Sequence, residues 1–362
     1  MSDAAPDPDR DSVGAPGTDR GADVDAGTGR DGGAGRARER RIAAYGVCPD
    51  PAGRLLMVRA SALTGVPGWW QIPGGGVEQG EHPADAVVRE FAEETGLAVE
   101  VADLVAVDSD VGPDPITGRW RHTDRIVYQV VARYGVLRAE AAGGTDLARF
   151  LDEPQLSVAT VLPWCARLLG LPERELPATT APAAAGTGQP APPQPLPPGG
   201  ETHSAAGPPR GQRFGAYGVV TDPAGRLLLT RIAPGYPGAG RWHLPGGGTD
   251  FGERPTDGLL RELVEETGQR GRVDALLGVR HHHDPAALGP EGHPVDWHVV
   301  QVVYRVLVDH PAPPVVIEAA GGSTEAVGWF TAAEVGALPL TGLVADVLAG
   351  GADSGVAGAS GS

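Results

Sequence analysis

Two short acidic clusters hold the residues of this chain best suited to chemistry. In the first, Glu81 precedes Arg89-Glu90 and Glu93-Glu94, and Gly96 closes the run. In the second, Glu253 precedes Arg261-Glu262 and Glu265-Glu266, closed by Gly268. The offset is constant, since 253 − 81 = 172 and 262 − 90 = 172. Glutamates at i, i+3 and i+4 share one helix face, where three negative charges repel. Mg²⁺, with Mn²⁺ as the alternative, turns that repulsion into binding, because hard cations take oxygen ligands and retain waters for phosphates. Arg89 and Arg261 carry the charge to orient a neighbouring carboxylate, and Glu81 and Glu253 stand just ahead of the helix, close enough to support the cluster. A solvated acidic helix face is the bland alternative. It does not account for the same Gly, Glu, Arg and Gly spacing recurring behind Pro-Gly-Gly-Gly at 73–76 and 245–248.

The elements that position these residues are also doubled. Pro83 and Pro255 suit a first helical turn and Gly96 and Gly268 the position just past a helix end, so helices are expected over 83–95 and 255–267. Phe91 and Leu263, with Val87 and Leu259 one turn earlier, point away from the glutamates into a core. Upstream, Arg41–Val47 aligns with Arg213–Val219, and Asp50-Pro51-Ala52-Gly53-Arg54-Leu55-Leu56 recurs from Asp222 to Leu228. Each block reads as strand, turn, strand, the mark of a hairpin. Later strands are expected at Ile126–Ala132 and Val299–Val308, and final helices at Pro163–Leu169 and Pro339–Ala349. The period far exceeds that of a solenoid, so a whole domain is duplicated. The expected fold is mixed α+β with helices covering a sheet. The expected divisions are a disordered tail over 1–38, domains at 39–172 and 212–349, a Pro/Ala/Gly-rich linker over 173–211, and a flexible tail over 350–362.

Composition excludes several function classes. A net charge of −17 argues against nonspecific nucleic-acid binding, which needs basic patches. The chain has no Lys, so neither a phosphate-binding P-loop nor Schiff-base chemistry is available to it. Two cysteines, Cys48 and Cys165, make no disulfide framework, and a reducing cytoplasm is the expected setting. The N-terminal residues lack the apolar run of a signal peptide, and no stretch approaches the ~18 apolar residues of a membrane span. Nothing in the sequence names a protein partner.

Both clusters resemble the Nudix box, G-x5-E-x7-R-E-U-x-E-E-x-G-U with U apolar. Residues 75–97 match every position, with Phe91 and Leu97 at the apolar sites; residues 247–269 match all but the last, where Gln269 stands. The resemblance covers about 41–170 and 213–348. It implies tandem α/β/α sandwich domains with mixed sheets, joined by the Pro-rich linker. The implied activity is Mg²⁺-dependent hydrolysis of a nucleoside diphosphate linked to another moiety, ADP-ribose or a nucleotide sugar ahead of an oxidised nucleoside triphosphate. Carried over by position, Glu90, Glu93 and Glu94, and Glu262, Glu265 and Glu266, would ligate metal, with the carbonyls of Gly74 and Gly246. Catalytic roles would fall to Glu81, Arg89 and Glu94, and to Glu253, Arg261 and Glu266. The general base would be a box glutamate or an acid on a later loop. The rival readings are one catalytic domain beside one nucleotide-sensing domain, and a nucleotide-binding module without catalysis.

Outside the box, Arg59 and Arg231 occupy matching strand ends and are candidates to face phosphate. Glu140, Glu318, Asp146 and Glu325 are later-loop acids, read as structural or solvated. Pro113 and Pro285 lie equally far past the boxes, where Nudix enzymes acting on ADP-ribose often carry a proline. Adjacent histidines on a strand point to opposite faces, so His281-His282-His283 is read as a strand end or substrate loop with pH-sensitive charge and not as a three-His metal site. Trp120 and Trp297 are read as half-buried core.

Overall fold

The computed structural model describes residues 38–140, 143–176, 208–288, 293–317 and 322–350. Nearly all of the expected tails and linker lie outside the described residues, as does Glu318. The first half runs β1 (Arg38–Val47), β2 (Leu55–Ala60), β3 (Trp70–Gln71), β4 (Gly74–Gly76), α1 (Pro83–Thr95), β5 (Leu97–Pro113), β6 (Trp120–Gly135), β7 (Thr145–Leu151), α2 (Glu153–Val158) and α3 (Pro163–Leu168). The second repeats it: β8 (Arg210–Thr221), β9 (Leu227–Ile232), β10 (Trp242–His243), β11 (Gly246–Gly248), α4 (Pro255–Thr267), β12 (Arg272–Leu288), β13 (Pro294–Leu307), β14 (Thr324–Phe330), α5 (Ala332–Val335) and α6 (Gly342–Ala349).

The box helices begin and end where their prolines and glycines place them. His82 caps α1 by accepting from the Ala84 amide at 3.0 Å. Gly96 and Gly268 close α1 and α4 in the left-handed conformation, at φ 72° and 69°, each donating its N–H to a last-turn carbonyl. Phe91, Val87, Leu259 and Leu263 are fully buried, as their spacing requires. The sheets are mixed. β1 runs parallel to β6 and antiparallel to β4, in the order β4-β1-β6-β5, with a separate sheet β3-β2-β7. In the second half the equivalent strands join into one sheet, β10-β9-β8-β13-β12, with β11 on β8 and β14 on β9. α1 and α4 cover one face; α2 and α3, and α5 and α6, bury Cys165 and Val344 against the other. Each half is therefore a helix–sheet–helix sandwich.

Three expectations need correction. The first is the extent of the hairpins, which close at their turns but stay paired for no more than two residue pairs. Just past β1, Pro49 bridges Leu55 of β2, and β8 pairs antiparallel with β9 at Val220–Leu228 and Thr221–Leu227. The turn forms, with Asp50 accepting from the Ala52 and Arg54 amides, but the strands diverge because β1 pairs with β4 and β6 while β2 pairs with β3 and β7. The second is the last helix, which starts at Gly342 and not at Pro339, because residues 339–341 are tied to Trp242: its N–H donates to Pro339 O and its carbonyl accepts from Thr341 N. The third is the later strands, which extend well beyond 126–132 and 299–308 on their N-terminal sides.

The two halves are not beads on a string. Ile42, Phe91, Val130, Phe214, Leu263 and Val300 all belong to one continuous apolar cluster. A core shared in this way couples the unfolding of both halves. Full-length protein is thus expected to melt in one calorimetric transition. Leu263→Ala, costing about 3 kcal/mol, should lower that whole transition. A second-half peak that shifts alone would show the cores to be independent.

Candidate active site

α1 and α4 each present three glutamates to a Gly-rich strand and arrange them around one arginine. Arg89 Nε and Nη2 donate to the two oxygens of Glu81, both at 2.9 Å. Its Nη1 donates to Glu90 Oε1 at 2.9 Å and reaches Glu93 Oε2 at 3.4 Å, while Nη2 also meets the Gly76 carbonyl at 2.8 Å. Arg261 repeats every contact: Glu253 at 2.9 and 3.0 Å, Glu262 at 2.9 Å, Glu265 at 3.2 Å and the Gly248 carbonyl at 3.3 Å. The two-pronged pairing with Glu81 and Glu253 fixes the plane of each guanidinium. Those bonds raise both arginines above their ordinary pKa. Burial works to raise Glu81 and Glu253, but the arginine bonds prevail and hold both carboxyls low.

The third glutamate of each set is buried deepest. Glu94 Oε2 accepts from the Gly74 amide at 2.9 Å, and Glu266 Oε2 from the Gly246 amide at 2.9 Å. Burial, with Glu90, Glu140 and Glu93 nearby, pushes the Glu94 carboxyl up to about 8 in spite of that bond. Burial likewise raises Glu90 and Glu262, opposed by the adjacent arginines. The glycines are required by contact. Gly74 and Gly246 sit at φ 140° and 134°, and a Cβ would fall 2.3 Å from the Ala44 carbonyl oxygen and 2.2 Å from that of Ala216. A Cβ on Gly75 would fall 2.4 Å from Glu90 Oε1. Among the described residues, no three His, Cys, Asp or Glu side chains already converge as a finished coordination shell; Arg89 and Arg261 lie between their carboxylates. The donor set itself, hard oxygens in excess of positive charge with one carboxyl forced toward neutrality by burial, fits a divalent cation of the Mg²⁺ type.

Other expected residues fall nearby in less direct roles. Arg59 pairs with Asp146 at 2.7 Å and Arg231 with Glu325 at 3.7 Å, so each strand-end cation has a partner acid. Glu140 lies near enough to Glu94 to raise it, which brings a later-loop acid into the first site. In the second half Thr324 Oγ1 donates to Glu266 Oε1 at 2.8 Å. Gln269, the departure from the box, is buried, and its side-chain amide exchanges hydrogen bonds with both backbone groups of Ala312 at 3.0 and 3.1 Å. Trp120 is more exposed than expected, at 37%. His281 and His283 share one face of β12, but no three-His site forms among the described residues.

Two site residues were missed. Arg41 and Arg213, on β1 and β8, lie beside Gly76 and Gly248 and lower the carboxyls of Glu90 and Glu262 against the larger effect of burial. The signal was present, since 213 − 41 = 172 places an arginine at the same strand position in both copies.

The family model for the NUDIX domain matches residues 39–163 and 211–348. Among curated relatives, a MutT-like protein of Streptomyces ambofaciens is 36% identical over 118 residues, covering 33% of this chain and 63% of that protein. An RNA pyrophosphohydrolase of Cereibacter sphaeroides is 36% identical over 88 residues, 22% of this chain and 54% of its own length. In both cases the chain spans less than two thirds of the relative. Among solved structures, a MutT NUDIX hydrolase of Burkholderia pseudomallei is 25% identical with a TM-score of 0.32, covering 36% of this chain and 97% of that one.

The raised Glu94 carboxyl has a consequence for stability. Its folded value of about 8 exceeds its ordinary 4.5, so the folded state holds a proton that the unfolded state gives up. Metal-free protein should therefore lose thermal stability as pH rises from about 4.5 through 8, and Mg²⁺ should restore it at the alkaline end. Glu94→Gln should flatten the dependence contributed by the first half. A melting temperature that does not move between pH 6 and 9, measured without metal, contradicts this account of the site.

Proposed function

The chain belongs to the Nudix family through both of its halves, and from that premise we propose that it is a Mg²⁺-dependent pyrophosphohydrolase with two working sites, one in residues 39–172 and one in 212–349. The observation that carries the proposal is the doubled network: each half keeps all of its box carboxylates around one arginine, with the third glutamate buried on a glycine amide.

Glu90, Glu93 and Glu94, and in the second site Glu262, Glu265 and Glu266, would hold the cation, with the carbonyls of Gly74 and Gly246. Bound Mg²⁺, with Mn²⁺ as the alternative, supplies charge to the phosphoryl oxygens and makes water acidic enough to attack. The remaining roles belong to the protein. Glu81 and Glu253 clamp Arg89 and Arg261, which hold Glu90 and Glu262 in orientation. Arg41 and Arg213 stand where a phosphate next to the carboxylates would meet positive charge, with Arg59 and Arg231 further out. A box glutamate or an acid on a later loop takes the proton of the attacking water. The new P–O bond forms as the anhydride P–O bond breaks, and the bridging oxygen leaves with the electron pair.

The substrate class is a nucleoside diphosphate linked to a second moiety. ADP-ribose and nucleotide sugars stand first, from the prolines Pro113 and Pro285, and oxidised nucleoside triphosphates next. Among the described residues, no helix is long and apolar enough to cross a membrane, and Cys48 and Cys165 are both free and buried.

The test is a hydrolysis panel with Mg²⁺ over ADP-ribose, nucleotide sugars, 8-oxo-dGTP and dinucleoside polyphosphates. Glu93→Gln with Glu265→Gln should abolish turnover, by more than about a hundredfold, while each single variant leaves the other site working. A double variant as fast as the parent refutes the mechanism. A single variant that removes all activity assigns catalysis to one half alone.

A further inference from the structure

The turn that carries Glu81 is held by the other half of the chain. Gln79 Nε2 donates to the Asp296 carbonyl at 2.8 Å, and also reaches Asp296 Oδ1 at 3.2 Å and the Gly211 carbonyl at 3.3 Å. In return Gln212 Nε2 donates to the Val77 carbonyl at 3.3 Å and lies 3.2 Å from Nδ1 of the buried His298. Gly80 packs on the His283 ring, and His283 is in turn fixed to Asp296 at 2.6 Å. His82, the cap of α1, meets His281 edge-on with 4.9 Å between ring centroids. Every side chain named on the far side belongs to the second half, and together they enclose the stretch from Val77 to His82.

The second box turn is held the same way by the first half, with other residues. Arg40 donates through its two terminal nitrogens to the carbonyl and hydroxyl of Thr249, and its Nε is anchored on buried Asp124 at 2.8 Å. Buried His122 accepts from the Gly252 amide at 3.2 Å and meets Phe251 edge-on at 5.5 Å, while Arg38 lies over the Phe251 ring at 5.2 Å. The positions correspond: 212 − 40 = 172 relates Gln212 to Arg40, 251 − 79 = 172 relates Phe251 to Gln79, and His122 and His298 sit at matching points of β6 and β13. One exchange is made twice with different chemistry, so it is a property of the architecture and not of one accidental contact.

Each turn ends in a box glutamate. Glu81 closes its turn by accepting from the Glu78 amide at 2.9 Å, and Glu253 by accepting from the Asp250 amide at 2.9 Å. These glutamates clamp the arginines that orient the other carboxylates. The geometry points to reciprocal positioning: Gln212 and His298 set the Val77–Glu81 turn of the first site, and Arg40 and His122 set the Thr249–Glu253 turn of the second, so that neither site is complete within its own half. These are positioning residues, acting through Glu81–Arg89 and Glu253–Arg261. The inference rests on the hydrolase reading of the two sites.

Full-length protein tests it by two readouts, of which the first needs no substrate. In Gln212→Ala and in His298→Ala, amide exchange over 77–82 should quicken about tenfold while 249–254 is unchanged, since a turn deprived of its anchor opens more often. Arg40→Ala should do the reverse. In a Glu265→Gln background, which leaves only the first site active, Gln212→Ala should lower kcat about tenfold with little change in KM, as expected for a displaced orienting group. His298→Gln, which keeps a hydrogen-bonding side chain, should recover most of the rate. In a Glu93→Gln background the same substitutions should leave the second site untouched. Gln212 is only half-buried, so its variant carries the test if His298→Ala does not fold. Unchanged exchange over 77–82, or equal losses at both sites, overturns the inference. A parent protein that hydrolyses nothing sinks the hydrolase reading, and exchange still decides the positioning.

Discussion

Carboxylate crowding on one helix face is the constraint from which the rest of each half follows. Glu90, Glu93 and Glu94 cannot all stay charged on α1 without a compensating cation, and on the helix itself one arginine serves Glu90, Glu93 and Glu81 together. That ratio makes the position of Arg89 critical. It is fixed on one side by Glu81 and the Gly76 carbonyl and on the other by Glu90, and the glycines of β4 must approach closely enough for Glu94 to reach a backbone amide. The mixed sheet places β4 beside β1, under the helix, so the loop and the helix face each other across a gap too small for a side chain. The fold is in this sense a device for keeping excess negative charge beside a tight glycine turn.

The same logic explains why the second copy tolerates Gln269. The residue after the helix glycine packs, and an apolar side chain is the simple solution, as Leu97 shows. Gln269 is equally buried but answers both backbone groups of Ala312, so its polar atoms are paired and the cost of burying them is offset. The departure alters how the chain is tied behind the helix and leaves the carboxylate face as it is in the first copy.

The box helices were legible to the residue because prolines and glycines mark their ends and the apolar spacing marks their buried side. The carboxylate sets were legible for the same reason: everything in them is local. What escaped sequence reading is non-local. β5 and β12 each run 17 residues, but shifts of register, such as those at Val101/Asp103 and Leu276/Gly278, break the alternation that would announce them. The expected hairpins form only at their closed ends, because turn chemistry fixes a reversal of the chain and not how far the two strands then stay paired. Arg41 and Arg213 stood in plain view as a repeated pair, yet only pairing of β1 with β4 and of β8 with β11 brings them beside the carboxylates. The contacts between halves left no local trace, since Gln79, Gln212 and His298 are unremarkable residues until the two domains meet.

Duplication within one chain permits something a symmetric dimer does not. In a two-fold homodimer the two corners of the interface are identical, because each patch meets its own copy. Here they have diverged. One corner is built on a guanidinium and a buried carboxylate, Arg40 and Asp124, joined by Ser109 donating to Asp124 at 2.6 Å. The other is built on imidazoles and amides, with His82, His281, His283 and His298 grouped around Gln79 and Gln212. Burial and the neighbouring histidines push His298 down to about 4, so it stands neutral at the place where the other corner sets the Arg40 guanidinium on Asp124. The group each half sets beside its neighbour's box loop therefore differs, a guanidinium lowering Glu253 on one side and a neutral imidazole standing by the Glu81 turn on the other. Two boxes with the same motif glutamates and the same motif arginine thus stand in unlike electrostatic surroundings, and the partner half contributes to that difference.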